Sequence, residues 1–487
     1  MNAFLSVLWI AVGFSLCVGS AVAQFVSKSP GFESSLLGPP AEWTGDVFKA
    51  NYAFPSTTED MSSQPWMILD PRKPRERDQY YAAVLSYGLT AFSGDIFDGC
   101  TASGAGWYHA PWMTLSFGNS PSEVAIGKIG SGREPICGLT QERPAPQGYL
   151  HTKQTRDKVQ SWAVGVFNRP GGYVLGQIWR DQWTADMSDL KYPDGTFIVK
   201  FLFTEATELE VPYLKGSPTW KANIYKQEGS IIRETKPMRL IQVDFAIRDK
   251  RMDFQTGWVF GTFMYANPDG STPAHWSKNL VPVGVMWGND PGKTNSLSFT
   301  EQALNPLILK MRDDKLLFDL TKRHDFGWKD RVNGPVDNPD SSCLSCHGSA
   351  QVHRRDNIKQ FITPVLKPGA ASDANKMLWF RNIKAGETFV FTKEELGLID
   401  QRTPSKVRAD WTLSNMSEFI STDYSLQVRM GIENSRAYAN LLAIAAVNRL
   451  KQQSPKAFTN KATVLDEVDA EYKRESRQIE RAGTHLK

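Results

Sequence analysis

Thr196-Phe197-Ile198-Val199-Lys200-Phe201-Leu202-Phe203 is the stretch on which the fold turns. Side chains alternate along an extended chain, so Phe197, Val199, Phe201 and Phe203 share one face while Ile198, Lys200 and Leu202 share the other. Both faces are largely apolar, which predicts a strand covered on both sides. Downstream, Ile241, Val243, Phe245 and Ile247 alternate with Gln242, Asp244 and Arg248 and predict a strand with one wet face. Trp258 to Tyr265 and Val281 to Trp287 extend the series, and from about Trp107 to Trp287 such segments recur between turn residues, as antiparallel strands do. Trp162 to Phe167, Asn168-Arg169-Pro170-Gly171-Gly172 and Tyr173 to Trp179 read as a hairpin, with Pro and Gly supplying the turn.

Outside this body the periodicity is helical. Tyr80, Tyr81, Val84, Leu85 and Tyr87 give the segment Arg75 to Tyr87 a helix-like apolar spacing after a Ser, Gly and Pro-rich lead from Ser27 to Pro40. Ala437, Leu441, Ile444, Ala445 and Val447 do the same for Asn434 to Gln453, and Thr463 to Arg481 is a charged helical run suited to a solvated face or a partner helix. The organisation expected is therefore α+β. A β-rich antiparallel-sheet body (150–350) follows a leader (1–23) and a β-rich N-terminal segment with one early helix (24–149), and a helical C-terminal region (351–487) closes the chain. A length of 487 residues suits such a multi-part architecture.

Hydrophobic residues at 41% and charged residues at 22% are globular values, and a formal net charge of +4 with scattered basic residues leaves no footprint for nucleic acid. Residues 4 to 19 are apolar and lead to Ala21-Val22-Ala23, which fits a signal-peptidase site with a mature start at Gln24. Export to a periplasm follows, with membrane contact expected only if the segment stays uncleaved, since Met1-Asn2-Ala3 lacks the usual basic residue. Removing Cys17 with the leader leaves Cys100, Cys137, Cys343 and Cys346. In an oxidising compartment Cys100 and Cys137 are expected to form a disulfide, closing a loop of about 37 residues and adding ~3 kcal/mol; two unpaired buried thiols are the alternative.

The remaining pair carries chemistry. Ser342-Cys343-Leu344-Ser345-Cys346-His347-Gly348 contains Cys-x-x-Cys-His, the attachment signature of one covalent haem c. Two intervening residues let both sulfurs reach one porphyrin edge, making Cys343 and Cys346 the thioether residues and His347 the proximal iron ligand. A zinc site would want a second ligand pair at short spacing, and a dithiol redox site a βαβ pattern; neither is visible. His109, His275, His324, His353, Met377, Met416 and Met430 are the candidates for the sixth iron position. Gly106-Trp107-Tyr108-His109-Ala110-Pro111-Trp112 suits a stacking platform for a ligand or plain core packing, and His109, Arg133, Glu134, Glu142 and Arg143 could form a polar site.

Tyr192-Pro193-Asp194-Gly195-Thr196-Phe197-Ile198-Val199-Lys200, then Ala246-Ile247-Arg248-Asp249-Lys250, then Gly257-Trp258-Val259-Phe260-Gly261, all ahead of a late CxxCH, resemble a known group. This order is similar to the lysine-crosslinked c-type cytochromes that oxidise hydroxylamine and nitric oxide, with their crosslink-free relatives the cytochromes c′-beta. The resemblance covers roughly residues 150 to 350. It implies a mostly antiparallel sheet, a five-coordinate haem behind an apolar wall, and Lys200 as the candidate crosslinking lysine; a lysine snorkelling from an apolar strand face is the simpler account. The longer spacing from Trp258 to Cys343 and the helical tail after Gly348 depart from the group's pattern.

Three functions follow as expectations. The first is an exported mono-haem cytochrome for electron transfer or one-electron redox chemistry, serving a redox partner protein. The second is an open-site haem oxidoreductase acting on a small nitrogen or peroxide substrate. The third is a tryptophan-rich binding module with the haem as electron relay. A haem domain made entirely of helices over residues 330 to 450, with Met416 as distal ligand, is the structural alternative. The sequence sets no oligomeric state.

Overall fold

The computed structural model describes residues 29–92, 106–115, 132–227, 230, 232–267, 270–271, 275–317, 326–355, 365–400 and 417–453, the last eleven as backbone alone. The quoted stretch becomes strand β5 (Phe197–Thr204) of an eight-stranded antiparallel sheet. Along the sheet run β1 (Thr140–Gln141), β4 (Ser161–Phe167), β5, β7 (Arg233–Arg248), β8 (Trp258–Tyr265), β9 (Leu280–Met286) and β10 (Gln302–Leu304), with β6 (Thr219–Tyr225) on the outer part of β7. Two small ladders stand apart: β2 (Ala145–Pro146) with β3 (Lys158–Val159), and β11 (Gln351–His353) with β12 (Phe419–Ser421). The α+β architecture expected from periodicity is the one observed.

Register gives the sheet two unlike faces. Lys200 pairs with Gly165 and Asp244, and Asp244 with Thr262, forming a polar row. Ile198, Ala246, Phe260 and Met286 form the next row on the same side. The opposite side carries Phe197, Val199, Phe201, Val243, Phe245, Ile247 and Phe263, all nearly or fully buried. Helix α1 (Pro65–Ile68) and helix α2 (Arg77–Leu89) cover it. Trp66 meets Phe197 edge-on at 5.1 Å, Tyr81 meets Phe263 at 6.0 Å, and Val84 is buried between. Each such side chain withdrawn from water contributes about 1.5–3 kcal/mol against chain entropy, so this is the dry core.

Three expectations need correction. The segment after Phe167 is no hairpin arm but helix α3 (Arg169–Ile178). Asn168 caps it by accepting the Gly171 N–H, Pro170 starts it with a helical φ, and Val174, Leu175 and Ile178 then fall on one buried stripe. The wet face of β7 is covered in part: Gln242 has no exposure, and an ideal Cβ on Gly334 would sit 2.0 Å from its amide, so the 332–336 backbone lies directly on it, while Asp244 and Arg248 are half-buried. Polarity at Gln242 marks a buried hydrogen-bonded position rather than solvent. Residues 24–149, expected to be β-rich, supply among the described residues two helices and two strands of two residues each, because aromatic side chains dock irregular backbone onto the sheet.

Helices α4 (Pro306–Asp313), α5 (Cys343–His347), α6 (Asp373–Lys376), α7 (Lys393–Leu398) and α8 (Leu426–Gln453) complete the chain. The helix expected over 434–453 begins eight residues earlier, with Val428, Ile432, Tyr438 and Leu442 buried. An all-helical domain over 330–450 is not what forms, since α5 packs on β8 and β11 pairs with β12 beside it. The leader, Cys100, His324, Met416 and the run 463–481 lie outside the described residues. Among those described, no helix is long and apolar enough to cross a membrane.

Candidate functional site

A helix of five residues cannot hold itself in water, so α5 is imposed by its ends and its packing. Ser342 is extended and its Oγ accepts the Ser345 N–H at 3.0 Å, while Ser345 Oγ accepts the Ser342 N–H at 2.8 Å, closing a capping box. Ser342 Oγ also donates to Asn289 Oδ1 at 2.8 Å, and the Cys343 N–H donates to the Val332 carbonyl at 3.1 Å. Leu344 is fully buried against the sheet face that carries Phe260 and Met286. Spacings of three and four put Cys343, Cys346 and His347 on one side of the turn. Cys343 is buried, whereas Cys346 and His347 are half-buried, so the motif opens outward from a buried base. Both thiols are free.

The imidazole is aimed by the backbone. His347 Nδ1 lies 2.8 Å from the Tyr424 carbonyl oxygen, which makes Nδ1–H the donor and leaves Nε2 unprotonated. Its ring centroid is 4.7 Å from that of Phe260. Burial pushes the imidazole down to about 4, and with it stays neutral, the form that binds a metal. Burial, reinforced by Asp244 and Asp337, drives the Cys343 thiol well above its ordinary value, and burial raises Cys346 to about 11. A redox-active CxxC pair needs the opposite shift. Two thiols i, i+3 apart with an adjacent imidazole anchored at Nδ1 fit the covalent attachment of haem.

Lys200 comes to this same region. Its Nζ is 2.8 Å from Glu142 Oε1, and its charge acts on both Cys346 and His347. Burial opposes its ammonium form, but Glu142, Asp244 and Asp337 outweigh that and raise it. Gln242 Nε2 donates to Asp244 Oδ1 at 2.7 Å and to Asp337 Oδ2 at 2.8 Å, and Asp337 also accepts the Gly334 N–H at 2.9 Å. Burial first, and the neighbouring Asp337 second, push Asp244 up to about 7 against the pull of Lys200. Between the ordinary carboxyl range near 4 and that value, the folded protein holds a proton that the unfolded chain has released. Stability from this group therefore falls as pH rises through that window. Asp244→Asn should remove the fall, on the order of 2 kcal/mol between pH 4 and 7, when urea midpoints of variant and parent are compared. Parallel pH curves for the two proteins would refute it.

The other candidates are engaged elsewhere. His109 is buried with Nδ1 accepting the Asn51 N–H at 3.0 Å and its ring edge-on to Phe48. His275 caps a short 3-10 turn through the Ser277 N–H. His353 lies on β11, its Nδ1 accepting the Arg355 N–H and its ring edge-on to Phe419. Met377 Sδ rests 3.9 Å from Arg331, and Met430 is 43% exposed on α8. Arg133 reaches Tyr52, Glu134 collects the N–H groups of Ile136, Cys137, Leu139 and Asn223, and Arg143 lies over Tyr149, so these residues and Glu142 form no common site. Trp107 and Trp112 are buried, core packing rather than a platform. Cys137 is fully buried, its sulfur 3.1 Å from the Lys221 carbonyl.

Tyr424 and Asp337 carry no signal in the sequence, and Phe260 and Gln242 read there only as strand positions. A backbone carbonyl leaves no residue-type signal; only Ser421-Thr422-Asp423-Tyr424-Ser425, a polar turn ahead of α8, marks the place. No family model matches this chain, and no curated protein or solved structure is significantly similar to it, so the case for its function rests on the geometry of this site.

Proposed function

We propose that this chain is an exported, periplasmic mono-haem c-type cytochrome acting in electron transfer or one-electron redox chemistry. One observation carries the reading: the Nδ1–H of His347 is held by the Tyr424 carbonyl while two free thiols on the same helical side stand one and four residues before the histidine whose Nε2 is thereby aimed. Cys343 and Cys346 would hold the group by thioether bonds and His347 would ligate its iron. When bound, the haem supplies one reversible electron at iron. The protein's own part is to bury the attachment helix, fix the imidazole tautomer and lay an apolar row of Ile198, Phe260 and Met286 alongside, which excludes water and favours the less charged state of a buried centre.

A second reading, an oxidoreductase acting on a small nitrogen or peroxide species, is favoured by the half-buried polar layer of Lys200, Asp244 and Asp337 around the buried Gln242 beside the motif, which could hold and move protons. The lysine-crosslinked cytochromes that the sequence resembles point the same way. The tryptophan-rich binding module has no comparable support, since Trp107, Trp112, Trp162, Trp220 and Trp258 are core.

The test is production of the full chain together with export and haem-ligation machinery. The expected product is red, with an intact mass higher than the polypeptide by one haem that survives denaturation. Colourless protein of unaltered polypeptide mass would end the proposal. The absorption spectrum then separates the readings: six-coordinate low-spin iron supports electron transfer, five-coordinate high-spin iron the oxidoreductase. A haem peptide also tethered to Lys200 would add the crosslink.

A further inference from the structure

Asp423 and Tyr424 both occupy the left-handed region, with φ of 45° and 68°. Neither is glycine, and the left-handed region is strained for a side chain, so two such residues in succession persist only where the surroundings over-determine them. The surroundings here are three donors on one buried carboxylate. Asp423 Oδ2 accepts the Tyr192 N–H at 2.8 Å, and Oδ1 accepts the Gly386 N–H at 3.0 Å and the Trp258 indole N–H at 3.2 Å. The Asp423 N–H in turn donates to Ser421 Oγ at 3.1 Å, and the Thr422 N–H to the Ala350 carbonyl at 2.9 Å. The Tyr424 hydroxyl is tied to the Ile383 carbonyl. What this tightly held turn presents outward is the Tyr424 carbonyl, the acceptor for His347 Nδ1.

We infer that Asp423 is the positioning residue of the proximal imidazole: it touches neither His347 nor the cofactor site, but by gathering Tyr192, Trp258 and Gly386 it fixes the strained turn whose carbonyl sets the tautomer and direction of His347. The imidazole's role as iron ligand rests on the haem reading; its orientation does not. Tyr192 leads into the strand that bears Lys200, and Trp258 opens the strand that bears Phe260, so one carboxylate registers the imidazole against the sheet face it must oppose. Removing it releases three N–H groups and lets the turn relax to negative φ, which rotates the Tyr424 carbonyl away.

The experiment compares the parent protein with D423A, D423N and, as a control, E134Q, which alters a different buried carboxylate that also collects backbone N–H groups. Histidine-selective 15N labelling of the haem-free chain reads the His347 tautomer, with H347Q identifying its signal. The parent should show the Nδ1-protonated ring. D423A should shift the tautomer ratio toward Nε2–H by roughly tenfold, the worth of one lost hydrogen bond, and D423N, which keeps Oδ1 for two of the three donors, should shift it less. E134Q should lower thermal stability and leave the ratio unchanged. In haem-loaded protein, D423A should keep the covalent mass gain yet weaken the iron–histidine stretching band of the reduced form. A parental tautomer ratio in a folded D423A or D423N chain would overturn the inference, as would an equal shift in E134Q. Failure of the parent to take up haem would strike the proposed function alone, because the haem-free measurement still decides the role of Asp423.

Discussion

Serine at both Cys343 and Cys346 is expected to abolish covalent haem altogether, leaving a chain of polypeptide mass after export and maturation. Each thiol supplies one thioether, so either single variant should retain a haem held through one bond, and only the double variant should release all colour into acidified organic solvent. The fold should survive, because serine is smaller than cysteine, α5 keeps its capping box through Ser342 and Ser345, and Leu344 still fills the core. Circular dichroism and urea midpoints close to those of the haem-free parent would establish that. Covalent haem in the double variant, shown by intact mass, would sink the assignment. The experiment also separates the dithiol alternative: a thiol pair needs both sulfurs for one disulfide, so single and double variants would then behave alike.

Replacing Arg331 by methionine should cost about 3 kcal/mol of stability. This guanidinium is fully buried, and among the described residues no carboxylate is in hydrogen-bond contact with it. It donates to the carbonyls of Asn289 at 2.8 Å, Asp290 at 3.0 Å and Lys293 at 2.8 Å, and lies over the rings of Phe299, Trp328 and Phe380 at 4.4, 5.1 and 4.6 Å. Burial lowers it to about 10, partly offset by Asp290 and Glu301, so it stays charged at neutral pH at a cost on the order of 3 kcal/mol. Methionine removes that cost but orphans three carbonyls at ~1–3 kcal/mol each and forfeits cation–π contacts of about 0.5–2 kcal/mol each. The losses are the larger sum. Because Asn289 also accepts the Ser342 hydroxyl, the damage should reach the cap of α5. Chemical denaturation within about 1 kcal/mol of the parent would show the carbonyls re-satisfied by water and the account wrong.

The sheet was legible because its strands alternate and its glycines and prolines punctuate them, and the helix Arg77–Leu89 because its tyrosines repeat at helical spacing. Periodicity failed where a cap decided the matter: Asn168-Arg169-Pro170 is as good a helix start as a turn, and only the burial of Val174, Leu175 and Ile178 tells them apart. It failed again at Gln242 and Asp244, since alternation reports polarity and cannot say whether water or another chain segment lies opposite. At the candidate site, the three residues of CxxCH announce themselves because chemistry fixes their types. Lys200 stands out by its apolar neighbours, while alternation marks Gln242 and Asp244 only as the polar face of a strand and gives no sign of Asp337. The anchor of the imidazole is a main-chain oxygen in a strained turn, and neither a carbonyl nor a φ angle is written in residue types.

The hydrogen bond from His347 to Tyr424 spans 77 residues, and the one from Tyr192 to Asp423 spans 231. A chain emerging amino end first thus completes every strand of the large sheet and both thiols before it possesses the oxygen that orients the imidazole. Loop closure over such distances is slow relative to local structure. The ring of His347 is thus aimed by a segment made well after helix α5 and remote in sequence from everything it organises.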